Sequence, residues 1–102
     1  KLLQALHLNI ENHTSLETIC NNLNISVGYA STCFKKHKGI SIMKYLREIK
    51  VERAKTLLLS TEKSILEISI LLGFHDQSHF TNTFKKIVGM SPSEFRNKNY
   101  SI

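Results

Sequence analysis

Two stretches of the chain repeat one another. Residues 29–40 read YASTCFKKHKGI and residues 79–90 read HFTNTFKKIVGM, so Phe-Lys-Lys-x-x-Gly occurs twice, 50 residues apart. The likeness extends to both sides. Leu16, Ile19, Leu23 and Ile25 match Ile65, Ile68, Leu72 and Phe74 at an offset of 49. Phe34, Lys35, Lys36, Gly39 and Ser41 match Phe84, Lys85, Lys86, Gly89 and Ser91 at an offset of 50. The extra residue falls in a turn around 75–78, where an insertion costs little. Such a duplication requires two copies of one supersecondary unit.

Each copy is helical in pattern. Proline occurs once, at Pro92, and glycine only at 28, 39, 73 and 89. Hairpin dipeptides and long alternating stretches are missing, so the expectation is an all-α fold of seven helices. Residues 2–12 form the first, with Leu2, Leu3, Leu6 and Ile10 on one side. Ser15 caps the second, with Leu16, Ile19, Cys20 and Leu23 as its buried stripe. Ser26 caps the third, which Gly39 stops; Ala30, Cys33, Phe34 and His37 point inward. Residues 42–59 make one long helix with Ile42, Leu46, Ile49, Ala54, Leu57 and Leu58 apolar and Arg47, Glu48, Lys50, Glu52 and Lys55 toward water. Arg53 lies inward and pairs with a carboxylate such as Glu67. Ile65, Ile68, Leu71 and Leu72 mark the fifth helix, ended by Gly73. Asp76 caps the sixth, with Phe80, Phe84, Ile87 and Val88 inside. Ser91 caps a last short helix that begins at Pro92, a favoured place for proline, and Phe95 docks it. The end, NKNYSI, frays.

Each repeat is a short helix, a turn, and a second helix with polar residues and trailing lysines, the pattern of a helix-turn-helix. The chain divides into a first subdomain at 1–41, a linker helix at 42–60 and a second subdomain at 61–102. At 1.5 Å per residue, a helix over 42–59 is a rod of about 27 Å. Two recognition helices in successive major grooves on one face of DNA sit about 34 Å apart. A rod of that size suits them.

Charge agrees with a polyanionic partner. Fourteen Lys and Arg face eight Asp and Glu, a formal net charge of +6, divided +4 and +2 between residues 1–50 and 51–102. A basic surface attracts nucleic acid or acidic membrane. No apolar run approaches the roughly 20 residues of a membrane span, and the first helix carries a single lysine and no tryptophan, so core packing explains its apolar face better than a membrane does. Cys20 and Cys33 sit among apolar residues at helical spacing and read as reduced core residues of a cytoplasmic protein. Five histidines are scattered. His75 and His79 are four apart, yet no Glu follows His75 and His75 falls in the turn, so neither a metal nor another cofactor is expected. The serines form no nucleophile elbow and the glycines no phosphate loop, so the chain is not read as an enzyme.

Residues 64–96, SILEISILLGFHDQSHFTNTFKKIVGMSPSEFR, resemble the signature of AraC/XylS-type transcription regulators, and YLREIKVERAKTLL (45–58) resembles that family's linker helix. The resemblance covers essentially the whole chain. It implies two helix-turn-helix units that bind double-stranded promoter DNA in a bacterial regulator, with an effector or receiver domain elsewhere in a longer protein and RNA polymerase as a further partner. The stretch ENHTSLETICNNLNIS (11–26) is similar to the first unit of receiver-linked members. Carried over by the motif, base-contacting positions fall on Gly28, Ser31 and Thr32 in the first unit and on Ser78, His79 and Asn82 in the second. Arginine is common in the family at the places of Thr32 and Asn82, and tyrosine at that of His79. Asparagine favours adenine and threonine offers a methyl to thymine, so the expected site leans to A·T.

Tyr29 and Thr81 share those exposed faces. Lys35, Lys36, Lys85 and Lys86 are expected at phosphates, with Gln77 beside them and helix N-termini at Ser15 and Ser64. Arg47, Lys50 and Arg96 are weaker candidates. The competing reading is a helical interaction module that binds an acidic protein partner.

Overall fold

The computed structural model describes residues 2–11 and 15–100. Helices α1 (Leu2–Leu8), α2 (Leu16–Asn22), α3 (Val27–Lys38), α4 (Ile42–Ser60), α5 (Ile65–Leu71), α6 (Gln77–Val88) and α7 (Pro92–Tyr100) account for its regular structure, and no strand occurs among the described residues. Two boundaries differ from the sequence expectation. Helix α1 ends at Leu8 rather than at 12, and Asn12, like Lys1, lies outside the described residues. Helix α7 continues to Tyr100, further than a short last helix, while Ser101 and Ile102 of the expected frayed end lie outside the description.

Serine caps set most of the helix starts. The hydroxyls of Ser15, Ser26, Ser41 and Ser64 accept the N–H of Thr18, Tyr29, Lys44 and Glu67 at 3.0–3.1 Å. The Asp76 carboxylate accepts from the His79 N–H at 2.7 Å. Each cap satisfies one of the four donors that a helix start leaves open. Ser64 and Ser91 belong to reciprocal capping boxes, in which Glu67 and Glu94 accept the serine N–H in return.

The interior consists of two apolar clusters that share one helix. Leu6 of α1, Ile19 and Cys20 of α2, Ala30 and Phe34 of α3, and Ile42 at the start of α4 form the first. Val51, Ala54, Leu57 and Leu58 of α4 form the second with Ile68, Leu72, Phe80 and Phe84 from α5 and its cap and α6. Thus the first turn of α4 closes one cluster and its second half builds the other. The molecule is elongated accordingly, with principal extents of 47 × 24 × 22 Å. Ile10, in the turn after α1, packs against the second cluster although α1 itself belongs to the first.

The repeat is visible atom by atom in the turns. Leu23, Asn24 and Ile25 donate to Ile19, Asn21 and Cys20 carbonyls; Leu72, Gly73 and Phe74 donate to Ile68, Ile70 and Ser69 carbonyls at the same offset. The chain reverses through a left-handed residue in both copies, Asn24 at φ 59° and Gly73 at φ 76°. Asparagine and glycine are the residues that adopt this conformation at least cost. His75 is the single inserted residue, since Ser26 and Asp76 cap the next helices at an offset of 50.

Several side chains depart from their expected faces. His37 and Ile87 are exposed, although Val88, the next residue of α6, still packs against the second cluster. Cys33 is half-buried rather than in the core, whereas Cys20 is buried, and desolvation pushes its thiol upward in pKa. Lys50 is half-buried rather than solvated. Its Nζ stands 5.5 Å from the Phe74 ring centroid, and burial lowers its pKa. Long lysine stems cover apolar surface readily, and an aromatic face accepts the ammonium. Arg53 is partly exposed and pairs with Glu11, tying α4 to the chain after α1, while Glu67 serves its own helix cap instead.

Candidate nucleic-acid interface

Helices α3 and α6 present the residues that the sequence singles out. Ala30 and Phe34 hold α3 on the first cluster; Phe80 and Phe84 hold α6 on the second with no exposure at all. The opposite faces are open. Gly28, Tyr29, Thr32, Lys35 and Lys36 are exposed on α3, and Ser31 is half-buried beside them. On α6, Gln77, Ser78, His79, Asn82, Lys85 and Lys86 are exposed and Thr81 is half-buried. Each set therefore lies on one helix, directed away from its own core.

The duplicated Phe-Lys-Lys-x-x-Gly motif now has a division of labour. The phenylalanine anchors the helix. The lysines stand in the last turn, where cations favour the helix dipole. Gly39 and Gly89 end the helices at φ 79° and 93°, each donating its N–H to the Lys35 or Lys85 carbonyl at 2.8 Å. A side chain at that φ is strained, so glycine is required by the backbone.

His79 differs from its counterpart Tyr29 in its surroundings. The His79 ring meets Phe74 edge-on at 5.5 Å, and Phe74 in turn packs on Phe80 at 5.1 Å. Its ring is thereby braced from the core side while the residue remains exposed. On the other unit the corresponding turn residue, Ile25, offers no ring.

The remaining candidates are distributed unevenly. Ser15 and Ser64 stand at the starts of α2 and α5, but their hydroxyls are engaged as caps. At Ser64 the Glu67 carboxylate also occupies the backbone N–H, so a phosphate there meets a negative charge. That bond holds the Glu67 pKa below the ordinary carboxylate range, with the Ser64 hydroxyl adding to the effect. Arg96 is turned inward. Its Nε and guanidinium NH2 donate to the Leu58 and Thr61 carbonyls at 3.0 and 3.2 Å, closing the end of α4. It is a helix cap in function, and its charge suits a helix C-terminus. Arg47 and Lys44, by contrast, lie beside His79 and Lys86 around one cleft of about 530 Å³. Lys44 was not singled out from the sequence, since spacing along α4 does not say which neighbour a residue will face.

Comparison with known proteins follows the same outline. Residues 19–98 match the family model described as a helix-turn-helix domain. The Msm operon regulatory protein of Streptococcus mutans is 33% identical over 93 residues, 91% of this chain and 34% of that protein. The putative HTH-type transcriptional regulator YkgA of Escherichia coli is 32% identical over 100 residues, 98% of this chain and 42% of that protein. The chain thus spans less than half the length of these curated relatives. Among solved structures, the C-terminal domain of the two-component response regulator yesN from Fusobacterium nucleatum superposes with a TM-score of 0.84 at 33% identity, covering 93% of each chain. The DNA-binding domain of AdpA, solved in complex with a target DNA, shares the fold with a TM-score of 0.82 at 22% identity, covering 95% of this chain and 90% of that one.

Proposed function

Since the chain belongs to the AraC-type helix-turn-helix family, we propose that it is the DNA-binding part of a bacterial transcription regulator and places α3 and α6 in successive major grooves. One observation carries the reading: two helices bear matched exposed faces and are anchored on two clusters that a single helix, α4, holds together. An acidic protein partner does not call for two such faces on one rigid spacer.

In this reading residues 1–41 and 61–102 are the two reading units and 42–60 the spacer. Gly28, Ser31 and Thr32 meet bases in one groove, and Ser78, His79 and Asn82 in the other. Lys35, Lys36, Lys85, Lys86 and Gln77 flank them at phosphates, which fix register without reading sequence. Ser15 serves through its backbone N–H, and Ser64 is the weakest of the set for the reason given above. Asn82 and Thr32 direct the site toward A·T pairs. The regulator works in the cytoplasm, and an effector or receiver domain supplies its signal. The response-regulator neighbour favours the receiver. RNA polymerase is the downstream partner.

A fluorescence anisotropy titration with random duplex at low salt tests the reading. Binding is expected, with log affinity falling against log salt by about 0.9 for each phosphate neutralised. Absence of binding to duplex, with capture by an acidic polypeptide, sinks it in favour of the interaction module.

A further inference from the structure

The linker helix is more than a spacer on its α6 side. Two clefts meet there. One, of about 530 Å³, is lined by Lys44, Arg47 and Glu48 of α4 and by His79, Thr83 and Lys86 of α6. The other, of about 370 Å³, includes Arg47, Lys50, Phe74, His75 and His79. Arg47 and His79 line both, so the clefts form one trough running from Lys86 to Lys50. Four cations and one carboxylate border it, a local charge of +3 out of the chain's +6. Lys44, Arg47 and Lys86 make no side-chain hydrogen bond or ion pair among the described residues, whereas Arg53, Lys55 and Arg96 on other faces are all engaged. Lys50 is held at one end by Phe74. Unpaired cations gathered in a concave strip focus potential on a polyanion.

We propose that this trough is a phosphate clamp: Arg47 and Lys44 of the linker helix, with Lys86, grip the DNA backbone where it passes between the two grooves. The inference rests on the DNA-binding reading above. The place is set by geometry. On α6 the trough residues His79 and Lys86 adjoin Ser78 and Asn82, and α4 forms the opposite wall. A strand whose bases meet α6 therefore runs its phosphates past α4. Arginine suits the role, because its planar fork takes a phosphate through two parallel hydrogen bonds. Glu48 opposes binding in the same trough and limits its strength.

The test is a salt series of anisotropy titrations on wild type, Arg47→Ala, Arg47→Lys, the Lys44→Ala/Arg47→Ala pair and Glu48→Gln, with one duplex selected for binding and several scrambled ones. Lys98→Ala is the control, since Lys98 is exposed on α7 and lines neither cleft. Circular dichroism checks that each variant is folded. Arg47→Ala is expected to lower the salt slope by about 0.9 and the double variant by about twice that. Arg47→Lys restores the slope, Glu48→Gln tightens binding, and the ratio of selected to scrambled affinity stays constant throughout. An unchanged slope in both alanine variants, with steep salt dependence in wild type, overturns the clamp and leaves the DNA-binding reading standing. A change in sequence preference at Arg47→Ala overturns it differently, making Arg47 a base reader. Absence of salt-dependent binding in wild type removes the premise itself.

Discussion

The Tyr45 ring lies 5.1 Å from the Phe34 ring, centroid to centroid, and the pair reappears 50 residues on as Phe95 and Phe84 at 5.6 Å. The first turn of α4 therefore does for the first unit what α7 does for the second. Tyr45 also bonds His7 through its hydroxyl at 2.9 Å, joining α1 to α4. Replacing Tyr45 with alanine should destabilise the protein by about 2 kcal/mol, less than a fully buried aromatic because the residue is half-buried. Tyr45→Phe should cost about 1 kcal/mol or less, the worth of one hydrogen bond. Urea denaturation measures both. Hydrogen exchange should show the amides of α3 losing protection before those of α6.

The turns offer a sharper comparison. Asn24 holds a left-handed backbone that Gly73 holds at no steric cost. Asn24→Ala and Gly73→Ala should each lose about 1 kcal/mol or more, and Asn24→Gly should be close to neutral. Equal stability of Asn24→Ala and wild type in urea would count against the left-handed assignment.

Acid should loosen the capping boxes. The backbone N–H bonds from Ser64 and Ser91, helped by the serine hydroxyls, hold the Glu67 and Glu94 carboxyls below their ordinary value of 4.5. A carboxylate depressed in the folded state contributes stability above its unfolded pKa and loses it as pH falls through the folded value. Melting temperature should accordingly decline below about pH 4.5, and the Glu67→Gln/Glu94→Gln pair should flatten that decline. An identical acid limb in the pair would show that other carboxylates govern it.

Base reading is testable at Asn82. Asn82→Ala should weaken the selected site by about 1–3 kcal/mol and relax preference at one position, while Lys85→Ala should weaken all duplexes alike and lower the salt slope by about 0.9. A binding-site selection that returns a G-rich consensus under both helices would refute the A·T-leaning reading.

The helices, their caps and the repeat were legible because each depends on near neighbours in the chain. Ser26, Asp76, Gly39 and Gly89 carry their structural instructions locally. What escaped depends on partners far along the chain. Arg53 reaches Glu11 and not Glu67, Arg96 closes α4, and Lys50 settles on Phe74. A helical period tells which residues share a face but not what that face will meet. For the same reason spacing along α4 does not show that Lys44 and Arg47 face Lys86 across the cleft between α4 and α6.

The sharing of α4 by both clusters carries a consequence for phase. Its first half, from Ile42 to Ile49, packs on one cluster and Val51 onward on the other, with no break in the helix between them. A residue inserted in that interval turns everything after it by about 100° and advances it by about 1.5 Å. The two reading faces are thus geared to one another by a count of residues. Seven added residues bring the faces back to within about 20° of their original alignment while lengthening the step by about 10 Å. On the proposed DNA-binding reading, the spacing and the rotation of the two half-sites are set together, by arithmetic along a single helix.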